Sequence, residues 1–170
     1  MMKIIEYPDG SSYVEAKYSQ KNPNITFKVN DYKDLWHLNQ LVDALNEDNK
    51  IPTITIPNLI DAQADRRFAE DQSSGLKLVC NFLNRMKANF KIFHPHNPEV
   101  VEALMDNVEI IDNTEFIKSV LTRLRQSYIK LNRHETDSLS LMSSDAGGFK
   151  SLMKLCDKIN WQGETFSASK

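Results

Sequence analysis

Four short segments of this chain carry residue types suited to polyphosphate chemistry. Asp65-Arg66-Arg67 sets two guanidinium groups beside a carboxylate. Adjacent arginines can cradle phosphate oxygens bidentately. A loop ion-pair cluster with Asp61, Asp65 and Glu70 is the alternative. His94-Pro95-His96 places two imidazoles at i and i+2. Such a pair can bind a divalent metal such as Zn²⁺, although no cysteine or third histidine lies nearby. A solvated loop pair is the other reading. Asp145-Ala146-Gly147-Gly148 could turn backbone N–H groups and a helix dipole toward an anion, with Asp145 holding a hydrated Mg²⁺. A tight turn between strand and helix would use the same residues. Tyr7-Pro8-Asp9-Gly10 offers an aromatic face for stacking, or simply a β-turn.

The elements that must position these segments alternate along the chain. Residues 13–17 and 25–29 alternate apolar and polar, as half-buried strands do. Leu35, Leu38, Leu41, Val42 and Leu45 form a helical stripe within 34–46. Thr53 to Ile56 reads as a strand bounded by Pro52 and Pro57. Leu76, Val79, Cys80, Leu83 and Met86 mark a second helix, with Ser73 or Ser74 as its N-cap. Strands follow at 90–93, 108–111 and 138–142. Helices are expected at 98–105, opened by proline, and at 115–128 and 149–159. Residues 164–167 look like the start of a further strand. The pattern predicts an α/β fold with a mainly parallel sheet and helices on both faces. Ligands of such sheets bind beyond the carboxyl ends of strands. The loops after Ile56, Phe93 and Met142 are therefore the loops of interest.

Taken in order and at these separations, the segments resemble the ribose-phosphate pyrophosphokinases, also called phosphoribosyl pyrophosphate synthetases. The resemblance covers nearly the whole chain and implies a phosphoribosyltransferase-like fold. It implies an N-terminal pyrophosphokinase-like domain over 1–113 and the beginning of a second, incomplete domain over 114–170. The family's aromatic-Ala-Arg-Gln-Asp-Arg run corresponds to Asp61-Ala62-Gln63-Ala64-Asp65-Arg66. Gln63 and Ala64 thus stand where the family's nucleotide-contacting Arg-Gln pair would be, while Asp65 and Arg66 are kept. His96 matches the histidine that contacts ATP phosphates or the metal, and His94 replaces an aspartate. The Phe-Ser-Asp-Gly-Glu turn, which reaches the adenine side of a neighbouring subunit's site, corresponds to Tyr7, Asp9 and Ser11, with Ser11 replacing an acidic residue. Asp145, with Gly147 and Gly148, matches Ser-Pro-Asp-x-Gly-Gly near the metal and the ribose phosphate. Lys170 falls at about the spacing of the catalytic lysine on a mobile flap.

The resemblance implies transfer of the β,γ-diphosphate of Mg-ATP to ribose 5-phosphate, with AMP as the other product. Mg²⁺ is the implied cofactor, Arg66 and Lys170 the catalytic cations, and a homo-oligomer the implied assembly. The family's sugar-phosphate loop lies beyond the matched region, so a fragment of a longer enzyme is expected. A changed acceptor such as ADP-ribose, or a non-catalytic subunit associated with an active synthetase, fits the altered residues as alternatives.

Bulk properties narrow the remaining classes. A net charge of -2 with mixed signs gives no broad nucleic-acid surface. An apolar fraction of 41% supports a real core. No apolar run reaches the roughly 20 residues needed to span a bilayer. Cys80 and Cys156 lie on helical patterns without a partner motif, so both are expected as buried core residues in a reducing cytoplasm.

Overall fold

The computed structural model describes residues 1–130 and 139–168, the last three of the first span by backbone alone. The chain divides into two compact units, Met1–Asp112 and Asn113–Lys170.

In the first unit, β1 (Met2–Glu6) and β2 (Ser12–Ala16) form an antiparallel hairpin in which Met2 faces Ala16 and Glu6 faces Ser12. The turn closes through Gly10 N–H donating to the Tyr7 carbonyl at 2.9 Å. Gly10 adopts φ +86°, the left-handed region where a side chain is disfavoured. Four parallel strands follow: β3 (Asn24–Thr26), β4 (Thr53–Ile56), β5 (Asn89–Phe93) and β6 (Val108–Ile111). They lie side by side in chain order. The connecting helices are α1 (Tyr32–Glu47), α2 (Gly75–Asn84) and α3 (Pro98–Leu104).

The expected α/β class and mainly parallel sheet are present. Helix placement in this unit is more specific than the sequence pattern implied. With strands in chain order, the general rule of right-handed crossovers puts the three connecting helices on one face. The side chains agree: Ile25, Ile54, Ile56, Phe90 and Ile92 are buried in one core with Leu38, Leu41, Leu76 and Val101. The alternate residues Thr26, Thr55, Lys91 and Glu109 are polar and exposed or half-buried. Lys91 pairs with Glu109 on that face at 2.7 Å. The extended run expected to Val29 leaves the strand at Thr26, although Phe27 N–H still reaches the Thr55 carbonyl at 2.9 Å.

The second unit holds α4 (Thr114–Lys130), β7 (Leu141–Ser143), α5 (Ala146–Ile159) and β8 (Thr165–Ser167). β7 and β8 pair in parallel, with Met142 opposite Phe166. The Arg125 guanidinium lies 5.7 Å from the centroid of the Trp161 ring. Asn160 ends α5 in the left-handed conformation, φ 51°. Ser138 lies outside the described residues, and the strand expected over 138–142 is seen as Leu141–Ser143.

Both cysteines are buried and unpaired, as expected. Burial pushes the Cys80 thiol up to about 11 and raises that of Cys156. Labelling by a thiol reagent at pH 8 is therefore expected to be at least ~10-fold slower in the native protein than in guanidinium, where both sites react. Fast native labelling would contradict the burial.

Candidate functional site

The first unit's carboxyl strand edge is built by the segments after β4 and β5. Leaving β4, the chain reaches Asp61 at φ 58°, a left-handed conformation that aspartate tolerates better than most residues. Ala64 N–H donates to the Asp61 carbonyl at 2.8 Å and closes a turn. The Ala64 carbonyl then accepts from Leu76 N–H at 3.3 Å and from Ser74 Oγ at 3.4 Å. Ser74 is the N-cap of α2, as anticipated, but its hydroxyl makes no cap bond and ties this segment to the helix start instead. Asn97 caps α3 with its side-chain oxygen and donates from Nδ2 to Asp65 Oδ2 at 3.1 Å.

That last bond brings two sequence-predicted segments together. Asp65 adjoins Arg66, and Asn97 adjoins His96, so the Asp-Arg and His-Pro-His segments meet at one strand edge. Gln63, Ala64, Arg66 and His96 are all exposed there. Neither Arg66 nor Arg67 forms an ion pair with another described residue. The alternative of a salt-bridged loop is not what forms: Asp61 accepts from Tyr32 Oη at 2.7 Å and Asp65 from Asn97. His94 takes φ 42° as its N–H donates to the Ile111 carbonyl at 2.7 Å.

The hairpin turn displays Tyr7, Asp9 and Ser11, all exposed. Asp9 Oδ1 accepts from Ser11 N–H at 2.9 Å and from Ser11 Oγ at 2.7 Å. Those two donors hold the Asp9 carboxyl below its ordinary range. The Tyr7 ring lies against Tyr13, centroids 6.0 Å apart. Beside the turn, Glu6 pairs with Lys33 of α1 at 2.8 Å.

In the second unit, Asp145 is the N-cap of α5, and its Oδ1 accepts from Gly148 N–H at 2.9 Å. The helix was expected from Phe149. It begins at Ala146, because a capping carboxylate compensates for glycines that weaken a helix. Gly147 and Gly148 therefore sit in its first turn, and the Gly148 N–H is engaged by the protein's own carboxylate. Lys170 lies outside the described residues.

Among the described residues no group of three or more histidine, cysteine or acidic side chains gathers to hold a metal. A two-histidine zinc site thus gains no further ligand. Each unit offers one sequence-predicted donor, the exposed imidazole of His96 in the first and the carboxylate of Asp145 in the second. A single carboxylate such as Asp145 fits a magnesium ion held chiefly by phosphate oxygens and water, which needs few protein ligands. No described helix is long and apolar enough to cross a membrane.

Sequence reasoning missed Tyr32, Asn97 and Gly75. Asn97 before Pro98 is a legible cap signature. Nothing in the spacing points to Tyr32, which meets Asp61 across 29 positions.

No protein-family model matches the chain. It is similar to a ribose-phosphate pyrophosphokinase of Sulfurisphaera tokodaii, 26% identical over 164 residues, covering 91% of this chain and 51% of that protein. Its fold is that of the phosphoribosylpyrophosphate synthetase of Mycobacterium smegmatis, with a TM-score of 0.72 at 14% identity, covering 100% of this chain and 56% of that one. The chain thus spans about half the length of these relatives. The resemblance read from the ordered segments is borne out by a relative that carries the family's name and by a solved structure of the same fold.

Proposed function

We propose that this chain is the nucleotide-binding half of a diphosphokinase-like transferase acting on Mg-ATP and ribose 5-phosphate. The observation that carries the reading is the Asn97–Asp65 bond, which holds the Asp-Arg and His-Pro-His segments at one carboxyl strand edge. Ligands of parallel sheets bind at that edge. The relatives' name supplies the reaction class.

In this reading the anomeric hydroxyl oxygen of the sugar attacks the β-phosphorus of ATP. The bond from that phosphorus to the α,β-bridging oxygen breaks, AMP leaves, and the hydroxyl proton passes to solvent. Such transfers depend mostly on positioning and charge stabilisation. Arg66 neutralises phosphate oxygens from the exposed loop, and His96 donates to them from the facing loop. Gln63 offers an amide to the nucleotide, and Tyr7 an aromatic face. In the second unit Asp145 would hold Mg²⁺, whose bound form neutralises phosphate charge. The first turn of α5, with Gly147, would face the ribose phosphate. Lys170 would act as a further cation. Assembly as a homo-oligomer in the cytoplasm belongs to the same reading.

Titration calorimetry with Mg-ATP tests it directly. Saturable binding is expected, weakened by about 5–20-fold in His96→Ala, as loss of one hydrogen bond of about 1–2 kcal/mol gives. A folded chain that takes up no Mg-ATP would sink the catalytic reading and favour a non-catalytic synthetase-associated subunit. Gln63 and Ala64, uncharged at the nucleotide positions, are the feature that would explain such a result.

A further inference from the structure

We infer that Tyr32 is a positioning residue for the 61–65 segment, acting through Asp61 and touching no ligand itself. The inference rests on the nucleotide reading of that segment. Tyr32 opens α1 and is 61% exposed, so burial does little to fix its ring. Its hydroxyl nonetheless donates to Asp61 Oδ2 at 2.7 Å, a short bond to a carboxylate. Asp61 holds the phenol in its protonated, donating form and raises it above the ordinary tyrosine range.

Asp61 also packs against the start of α2. A side chain at Gly75 would put its first carbon 2.6 Å from Asp61 Oδ2 and 2.9 Å from Cγ. Glycine at this position leaves the room the carboxylate occupies. Asp61 is thereby clamped between α1 and α2 while holding φ 58°. Four residues on, Asp65 is held by Asn97 at the start of α3. Between these anchors Ala64 is bonded through both its N–H and its carbonyl.

The segment is therefore a short bridge fixed at both ends, with Gln63 projecting between the anchors and Arg66 just beyond the second. Pre-ordered loops bind more tightly because less freedom is lost on binding. Removing the Tyr32 hydroxyl releases the first anchor and leaves the second in place. The bond sits at the surface, so global stability should barely change while the local order of the bridge falls.

The test is Tyr32→Phe in the full chain, with Asp61→Gly as its partner. Glycine suits the left-handed backbone and removes the carboxylate. Three readouts are needed: thermal melting, trypsin cleavage after Arg66 and Arg67 followed by mass spectrometry, and Mg-ATP titration. Expected for Tyr32→Phe is cleavage faster by about 5–10-fold and a dissociation constant raised about 5-fold, since a less ordered bridge loses more freedom on binding. Melting should stay within ~2 °C. In the Asp61→Gly background the tyrosine change should have no further effect, since the two act as one unit.

Cleavage unchanged in Tyr32→Phe would overturn the inference, whatever the nucleotide did. So would a melting temperature lowered by many degrees, which would make Tyr32 a general structural residue. If the wild-type chain bound no Mg-ATP, the functional reading would fall, while faster cleavage would still establish the clamp.

Discussion

Leu38→Ala is expected to destabilise the first unit by about 3–4 kcal/mol and to lower its melting temperature by roughly 12–25 °C. Leu38 is fully buried on the inner face of α1, beside Leu41, Leu45 and the strand residues Ile54 and Ile56. Truncation removes three carbons from a close-packed interior and leaves a cavity that rigid strands cannot fill. The loss is a large part of the roughly 5–15 kcal/mol that holds a domain of this size. Trp36, two residues away and half exposed, reports the transition by its fluorescence. The internal comparison is Leu78→Ala on α2, where the side chain is 60% exposed. That change should stay within about 0.5 kcal/mol. Similar losses at both sites would mean that the core is not where the leucine stripe puts it.

The stripe itself was legible in the sequence because helix burial repeats every 3.6 residues. Leu35, Leu38, Leu41, Val42 and Leu45 are all buried as that period requires. Thr53–Ile56 was legible because two prolines punctuate a β-branched run. The β1 strand was not, since Met2 to Glu6 shows no clean alternation and leaves both Lys3 and Ile4 exposed. Its pairing with β2 is set by the turn between them. The candidate site divides in the same way. Asp65, Arg66 and His96 could be named from residue type and order. Their meeting depends on a side-chain bond from Asn97, and the shape of the segment depends on Tyr32 and Gly75. Those contacts join positions far apart in the chain, where no local period carries a signal.

Arg66 is where charge should matter most for nucleotide binding. Two positions in its segment, Gln63 and Ala64, carry no charge, so the cations there are Arg66 and Arg67. Asp65 is anchored by Asn97, which fixes the backbone origin of Arg66 while its side chain remains exposed. A guanidinium offers a planar fork to phosphate oxygens, and an ammonium offers only a point charge. The expected series of increases in the Mg-ATP dissociation constant is therefore graded: about 5-fold for Arg66→Lys, 10–50-fold for Arg66→Ala, and ~100-fold or more for Arg66→Glu. The last exceeds simple loss because a carboxylate repels the phosphates it replaces a contact to. Screening should compress the whole series as salt rises toward 1 M, where the Debye length falls to about 3 Å. Arg67→Ala makes the same change in net charge one residue further from the anchor and should cost less than ~3-fold. Equal losses at Arg66 and Arg67 would reduce the effect to general electrostatics. A wild-type constant in Arg66→Glu would remove the residue from the site altogether, and with it the phosphate-cradling role of the Asp-Arg segment.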